Sequence, residues 1–265
     1  MRKNYKYTCP FYNMSGKKGQ VAIFILIALV IIAAVIVIML RQDKRIAPSI
    51  DLSPTAYLKS CVEEDIKINK ENIAKQGGYR DPEGILEYKG DKIKYLCYTS
   101  EYYKTCTVQQ PLLKEKFEKE LESAVKSKAE QCIQNLKIEY ERKGYDVSLD
   151  KTESTLEIEP GKIIFNFASP MRISKAESRQ NFNGFTIEIN SKIYELVLIA
   201  TSIVEFESGF GDSETTSYVN YYPDITINKI KLGDGSKVYE IGDVVTGESF
   251  RFASRSLAWP PGYGL

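Results

Sequence analysis

The longest purely apolar run in the chain lies near its beginning, from Val21 to Leu40. It contains no charged or polar side chain, no glycine and no proline. A helix of this length spans about 30 Å, the hydrocarbon thickness of a bilayer, and helical backbone satisfies its own hydrogen bonds in lipid. We therefore predict a single transmembrane helix over residues 21–40.

Two amphipathic helices are predicted in a helix-hairpin-helix region, residues 52–144, which follows a polar linker at residues 41–51. The first has Ser53 as its N-cap, a proline in its first turn and one apolar stripe that continues to about Lys75. The second has the same apolar spacing over residues 111–143. Two short alternating runs between the helices predict a β-hairpin.

The region from residue 145 to residue 265 alternates with a period of two and predicts a sheet with one helix. The helix is predicted at residues 191–206, where apolar side chains form a wide face. The predicted strands cover residues 145–149, 155–159, 162–167, 171–173, 185–189, 218–222, 225–232, 237–241 and 249–253. The pattern indicates an α+β fold with a mixed, mainly antiparallel sheet.

Charge is distributed unevenly along the chain. Residues 1–20 form a basic leader with five basic and no acidic side chains, which are Arg2, Lys3, Lys6, Lys17 and Lys18. Of the chain's 36 basic residues, 31 remain beyond residue 40, where all 35 acidic residues lie. The basic flank of a membrane helix is usually on the cytoplasmic side. We therefore expect the large C-terminal part to lie outside the cytoplasm. Its nearly balanced charge does not indicate nucleic-acid binding.

Four cysteines follow the predicted membrane helix, and a fifth, Cys9, lies in the leader. An even number in an extracytoplasmic domain indicates two disulfides. Of the three possible pairings, we predict that Cys61 bonds to Cys132 and joins the two helices, while Cys97 bonds locally to Cys106. Four buried free thiols in a cytosolic domain are the alternative.

The chain contains no histidine. This absence excludes Ser-His-Asp and Cys-His catalysis and His-ligated metal sites, and no P-loop, GxGxxG or CxxC motif is present. We therefore predict no catalysis, no cofactor and no metal. An enzyme that uses carboxylates alone is the remaining enzymatic alternative.

Two further features are candidates for binding. Residues 205–214 are predicted as an acidic loop, either simply solvated or holding Ca²⁺ through Glu207, Asp212 and Glu214. Exposed tyrosines are favoured at recognition surfaces, although half-buried strand positions use tyrosine as readily. The tyrosines cluster as Tyr95, Tyr98, Tyr102 and Tyr103, and as Tyr218, Tyr221 and Tyr222.

The sequence KKGQ at residues 17–20, directly before the apolar stretch, resembles the class III signal peptide of archaeal type IV pilins and archaellins. The resemblance implies cleavage between Gly19 and Gln20, with the apolar helix retained on the mature subunit. Ala22 and Phe24 stand where many pilins of this type carry Ser and Glu. An uncleaved signal anchor with a basic flank is the alternative.

The fragments KSCVE at residues 59–63 and KQGGY at residues 75–79 are similar to segments of uncharacterised, membrane-anchored proteins of small-genome archaea. In that group a helix with one cysteine leads to QGGY, and a second cysteine-bearing helix follows. The similarity implies the same architecture but no activity.

Together these features predict a single-pass cell-surface protein whose outward domain is structural or adhesive. Its expected partners are membrane lipid, other copies of itself or other surface proteins, and no nucleic acid. A filament subunit of the pilin type is the alternative.

Overall fold

The computed structural model describes residues 27–32, 53–151 and 153–260. The chain divides into two compact units, Met1–Ala47 and Pro48–Leu265. The second unit contains all the helices and strands discussed below.

Most predicted features of the first unit lie outside the described residues. These are the leader, the processing site at Gly19 and Gln20, and the predicted membrane helix apart from residues 27–32, which are helical and exposed. The linker at residues 41–51 also lies outside them. Within the described ranges, no helix combines the length and the apolar character needed to cross a bilayer.

The second unit is an α+β domain, as predicted. Its described helices are α1 (Pro54–Lys75), α2 (Leu113–Arg142), α3 (Ile193–Phe210) and α4 (Thr216–Tyr221). Its described strands are β1 (Ile85–Tyr88), β2 (Asp91–Tyr98), β3 (Thr107–Val108), β4 (Asp146–Leu149), β5 (Glu153–Glu159), β6 (Lys162–Ala168), β7 (Met171–Lys175), β8 (Ser178–Phe182), β9 (Phe185–Asn190), β10 (Ile225–Lys231), β11 (Ser236–Asp243) and β12 (Ser249–Arg255).

The described strands form three sheets. The largest has the order β1-β2-β12-β11-β10, with β3 paired to β2, and the other two have the orders β4-β7-β8 and β5-β6-β9. Strand β12 runs parallel to β2, and the remaining pairs are antiparallel. The largest sheet is therefore mixed and mainly antiparallel, as the sequence predicts, and the two smaller sheets are antiparallel.

Helices α1 and α2 pack together through the apolar faces that the sequence predicts. The Oγ of Ser53 accepts a hydrogen bond from the backbone N–H of Ala56, so the predicted N-cap is present. Cys61 and Cys132 form a disulfide between the two helices, with Cα atoms 6.0 Å apart. Cys97 and Cys106 form the second disulfide. Both pairings are those predicted.

The six-stranded sheet joins the two regions that the sequence separates at residue 144. Strands β1 and β2 come from the first region, and β10, β11 and β12 come from the second. Helix α3 packs on β11 and β12, and one continuous core includes side chains from α1, α2 and α3. The two regions therefore share one sheet and one core.

Two local predictions were wrong, and strand β8 was not predicted. Residues 178–182 have no apolar alternation and are largely exposed, but they pair with β7 as strand β8. Residues 218–222 were predicted as a strand, whereas Thr216–Tyr221 is the short helix α4. Helix α3 continues to Phe210, where Gly211 ends it, so much of the predicted acidic loop is helical.

The orientation of α1 separates the two ends of the domain. Near its start, Tyr57 lies beside Glu139 at the C-terminal end of α2. At its other end, the carbonyl oxygen of Lys75 accepts a hydrogen bond from Arg251 of β12 at 3.1 Å. A helix of 22 residues is about 33 Å long. The chain therefore enters the domain about one helix length from the point where α1 meets the six-stranded sheet.

Candidate functional site

Six exposed aromatic side chains come from three segments that meet at one end of the six-stranded sheet. We call this surface the aromatic end. Its members are Tyr98, Tyr102, Tyr103, Phe206, Phe210 and Trp259, with between 38% and 72% of each residue's surface exposed. The Tyr103 and Trp259 rings contact edge to face with centroids 5.0 Å apart, and the Phe206 and Phe210 rings lie 4.8 Å apart.

The first segment of the aromatic end, which we call the tyrosine loop, runs from Tyr98 at the end of β2 to Thr105. Its two ends are fixed by the Cys97–Cys106 disulfide and by the pairing of β2 with β3. Tyr103 has a left-handed backbone conformation, with a φ of +57°. Its backbone N–H donates to the carbonyl oxygen of Ala258 at 2.9 Å. The loop is therefore held by a covalent bond, a strand pair and the C-terminal segment.

The second segment follows β12. The Arg255 guanidinium donates to the carbonyl oxygens of Thr99 and Asp234, at 2.5 Å and 3.0 Å. The same group lies over the Tyr102 ring, 5.3 Å from its centroid, at a distance typical of a cation–π contact. Arg255 therefore connects the end of β12 to the tyrosine loop.

The third segment is the C-terminal end of α3. Gly211 ends the helix with a φ of +92°, and a Cβ at this position would lie 2.1 Å from Cδ1 of Leu257. Only glycine allows both this backbone conformation and so close an approach. The helix end that carries Phe206 and Phe210 therefore lies directly against the segment that carries Trp259.

Beneath the aromatic end lies a buried polar cluster around Glu207 of α3, whose side chain has no exposed surface. Its carboxylate accepts hydrogen bonds from the Lys237 ammonium at 2.7 and 2.9 Å and from the Ser254 hydroxyl at 2.9 Å. It also accepts one from the backbone N–H of Ser213 at 3.0 Å and one from the Tyr239 hydroxyl. A buried carboxylate with this many donors has its desolvation offset by hydrogen bonds.

The strands place these donors by simple alternation. Residues two apart share a face of a strand, so Lys237 and Tyr239 of β11 both point towards α3. Burial and the adjacent Glu207 carboxylate both raise the pKa of Tyr239, so its hydroxyl stays protonated and donates.

Two serines connect the polar cluster to the second disulfide. The Ser256 hydroxyl donates to the carbonyl oxygen of Glu207 at 2.8 Å and accepts from the backbone N–H of Cys106 at 2.9 Å. The Ser254 hydroxyl lies 3.9 Å from the sulfur of Cys106. The cluster therefore joins α3, β12 and the tyrosine loop, which are the three segments of the aromatic end.

Asp212 extends the cluster towards solvent. Its carboxylate contacts the ammonium groups of Lys229, Lys231 and Lys237 at 2.8 to 3.2 Å. Partial burial raises the pKa of Asp212, but the hydrogen bond from Lys231 and the charge of Lys237 outweigh this effect and lower the pKa to about 2. Asp212 is therefore ionised throughout the neutral range.

The lowered pKa of Asp212 predicts a pH-dependent contribution to stability. The folded-state pKa lies below the ordinary value of 3.8, so the contribution is present above about pH 4 and is lost as the pH falls towards about 2. Urea unfolding at several pH values should find wild type more stable than Asp212→Asn at neutral pH, with the difference shrinking below pH ~4. Asp81→Asn, at an exposed position elsewhere, is the control. A difference that stays constant with pH contradicts the prediction.

The carboxylates of the predicted acidic loop contact other groups of the protein. Glu207 is helical and buried against Lys237, and Asp212 contacts lysines. Glu214 accepts a hydrogen bond from the backbone N–H of Thr216. Among the residues that the structure describes, no group of three or more His, Cys, Asp or Glu side chains is arranged to hold a metal ion.

The two predicted tyrosine groups have different surroundings. Tyr98, Tyr102 and Tyr103 are exposed at the aromatic end, whereas Tyr95 is buried. In the second group, Tyr218 bonds to Ser202, and Tyr221 and Tyr222 line a cavity of about 220 Å³ beside α3. Of the two groups, the first is the more firmly held by surrounding structure.

Several residues of the site were not found from the sequence. Phe206 lies at the end of the predicted third helix, Phe210 lies in the predicted acidic loop, and Trp259 lies outside every predicted helix and strand. Lys237 carries no signal, since a lysine in a strand ordinarily faces solvent. Phe206 lies outside the apolar stripe of α3. This position was the one indication in the sequence that its side chain is exposed.

The predicted disulfide cysteines thus border the candidate site at Cys97 and Cys106 and support the helix pair at Cys61 and Cys132.

Comparisons of this chain with protein-family models, with curated proteins and with solved structures find no match.

Proposed function

We propose that this chain is a single-pass, membrane-anchored cell-surface protein whose outward domain binds other surface molecules through the aromatic end. The observation that carries the proposal is the set of six exposed aromatic rings on segments fixed by a disulfide and a buried polar cluster. Aromatic side chains offer a large contact area at a small cost in conformational entropy. A rigid aromatic surface is therefore suited to adhesion.

A membrane anchor is proposed from the sequence that precedes the folded domain. The apolar stretch at residues 21–40 and its basic flank support such an anchor and the outward orientation.

The proposal assigns no catalytic activity to the domain. The chain has no histidine, and the best-connected carboxylate, Glu207, is enclosed beneath the surface. A buried carboxylate saturated by donors stabilises a fold and cannot reach a substrate.

Adhesion of cells that express the full chain tests the aromatic end. Tyr102→Ala combined with Trp259→Ala should reduce cell adhesion at least about tenfold, since aromatic residues at interface centres commonly contribute more than 1.4 kcal/mol. Unfolding of the purified variant should change by less than about 1 kcal/mol, because both side chains are exposed. Adhesion is measured as the fraction of cells recovered in aggregates.

The matched control is Tyr221→Ala combined with Tyr222→Ala, which removes two other exposed tyrosines. This variant should adhere like wild type. Equal adhesion of all three proteins, or equal losses in both variants, contradicts the assignment of binding to the aromatic end.

A filament subunit of the pilin type is the second candidate, favoured by the sequence before the apolar stretch. Cleavage between Gly19 and Gln20 would release the leader and leave the apolar helix for packing between subunits. Mass spectrometry of the mature N-terminus separates the two candidates. Gln20 as first residue supports the filament subunit, and an intact leader excludes it.

A further inference from the structure

The side chains of Lys237 and Glu207 are in direct contact in the interior of the domain. The Lys237 Nζ lies 2.7 and 2.9 Å from the two carboxylate oxygens of Glu207, so it is close to the carboxyl carbon that joins them. The two side chains are 6% and 0% exposed, which excludes the water that would hydrate them separately. Groups held at such distances react with high effective concentration.

We propose that Lys237 and Glu207 condense to an intramolecular amide, an isopeptide bond between Nζ of Lys237 and Cδ of Glu207. The bond joins β11 to α3 directly beneath the aromatic end. It is a modification of the folded chain by its own residues and requires no cofactor.

The step balances as the loss of one water. The Lys237 ammonium passes a proton to Glu207, which leaves a neutral amine beside a carboxylic acid. The amine nitrogen then bonds to Cδ, and Asp212, 3.2 Å from Nζ, accepts a second proton from the nitrogen. Asp212 returns this proton to the departing hydroxyl oxygen, the C–O bond breaks, and water leaves. No atom is oxidised or reduced.

The remaining contacts of Glu207 favour the tetrahedral intermediate. The backbone N–H of Ser213 and the Tyr239 hydroxyl donate to one oxygen, and the Ser254 hydroxyl donates to the other. Donors fixed in place around a carboxyl group stabilise the negative charge that develops on its oxygen during attack. Asp212 is partly exposed, so the released water has a route to solvent.

The product also fits the site. The amide N–H would keep the carbonyl oxygen of Gly211 as its acceptor, since Nζ already lies 2.5 Å from that oxygen. The amide carbonyl oxygen would keep the Ser213 N–H as its donor. Neither polar group of the new bond is left without a partner, as buried amides require.

A second lysine–glutamate pair provides an internal contrast. Lys70 bonds to Glu248 across the α1–β12 boundary, and these side chains are 6% and 13% exposed. Among the described residues, no second carboxylate lies within ion-pair distance of Lys70, whereas Lys237 has Asp212. Within the described part of the chain, the Lys70 pair therefore has no carboxylate to carry the second proton, and we expect it to stay an ion pair.

Mass spectrometry of the full chain, reduced and alkylated, tests the proposal. The wild-type mass should lie one water, about 18 Da, below the mass calculated for the sequence with its five cysteines alkylated. Trypsin does not cleave after an acylated lysine, so digestion should yield residues 193–229 joined to residues 232–251. Fragmentation should place the bond between Glu207 and Lys237.

Two variants complete the test. Lys237→Met should have its full calculated mass, while Lys70→Met should keep the loss of one water. These masses are readable whether or not a variant folds. A wild-type chain of full mass that releases residues 232–237 as a separate tryptic peptide overturns the proposal, as does a water loss located elsewhere.

Discussion

Replacing Cys61 and Cys132 together by alanine is expected to lower the free energy of unfolding by about 4 kcal/mol. The two cysteines are 71 residues apart, so their bond removes a large amount of conformational freedom from the unfolded chain. The bond also joins α1 to α2 inside the core, where Cys132 is fully buried. Urea unfolding of the oxidised proteins, monitored by circular dichroism, measures the loss.

The second disulfide provides the comparison. Cys97 and Cys106 are only 9 residues apart, so their replacement by alanine should lower the free energy of unfolding by a smaller amount, about 2.5 to 3 kcal/mol. A loss from the short pair that equals or exceeds the loss from the long pair contradicts this explanation of the stability.

Glu207→Ala is expected to destabilise the domain by at least about 3 kcal/mol. The variant leaves the buried Lys237 ammonium without its main partner and removes the acceptor of the Tyr239 and Ser254 hydroxyls. Removing one partner of a buried Lys–Glu contact is costly, because the charge left on the other partner stays desolvated. Urea unfolding of the purified protein again measures the loss.

Two further variants make the Glu207 result specific. Glu205→Ala alters an exposed carboxylate on the same helix and should change stability by less than about 0.5 kcal/mol. Adding Lys237→Met to Glu207→Ala should recover part of the loss, since it removes the unpaired charge. Equal stability of the Glu205 and Glu207 variants contradicts a structural role for the buried cluster.

The helix pair could be predicted because its signals are local. Ser53 and Pro54 mark the start of α1, and apolar spacing of four and seven marks the buried faces of both helices. Cysteines on or beside those faces can meet only if the helices pack together. Of the three possible pairings, these positions favoured Cys61 with Cys132, and closeness in sequence favoured Cys97 with Cys106.

The candidate site could not be predicted, because it depends on contacts between distant segments. Glu207 lies beside Lys237 only because α3 packs on β11, and no sequence pattern specifies which strand a helix covers. Trp259 meets Tyr103 because β12 pairs in parallel with β2, a pairing that the alternation within each strand leaves open. The cluster of tyrosines in this loop could be recognised in the sequence, but the residues that the loop contacts could not be predicted.

The end of α3 shows how a local signal can mislead. The glycines and acidic residues after Val204 favoured a loop, yet the helix continues to Phe210 because Glu207 finds donors in the core. Tertiary contacts outweighed helix propensity at this position. The buried cluster therefore determines both the length of α3 and the position of Phe206 and Phe210.

The central claim, that the folded domain lies outside the cytoplasm with both disulfides formed, is tested most directly in intact cells that express the full chain. A maleimide reagent unable to cross membranes is added without reductant, and protease is added to a parallel sample. We expect protease to remove the domain from whole cells, and Cys61, Cys97, Cys106 and Cys132 to be labelled only after reduction. Protection of the domain until the cells are lysed, together with four cysteines that react in the lysate without reductant, would contradict the claim.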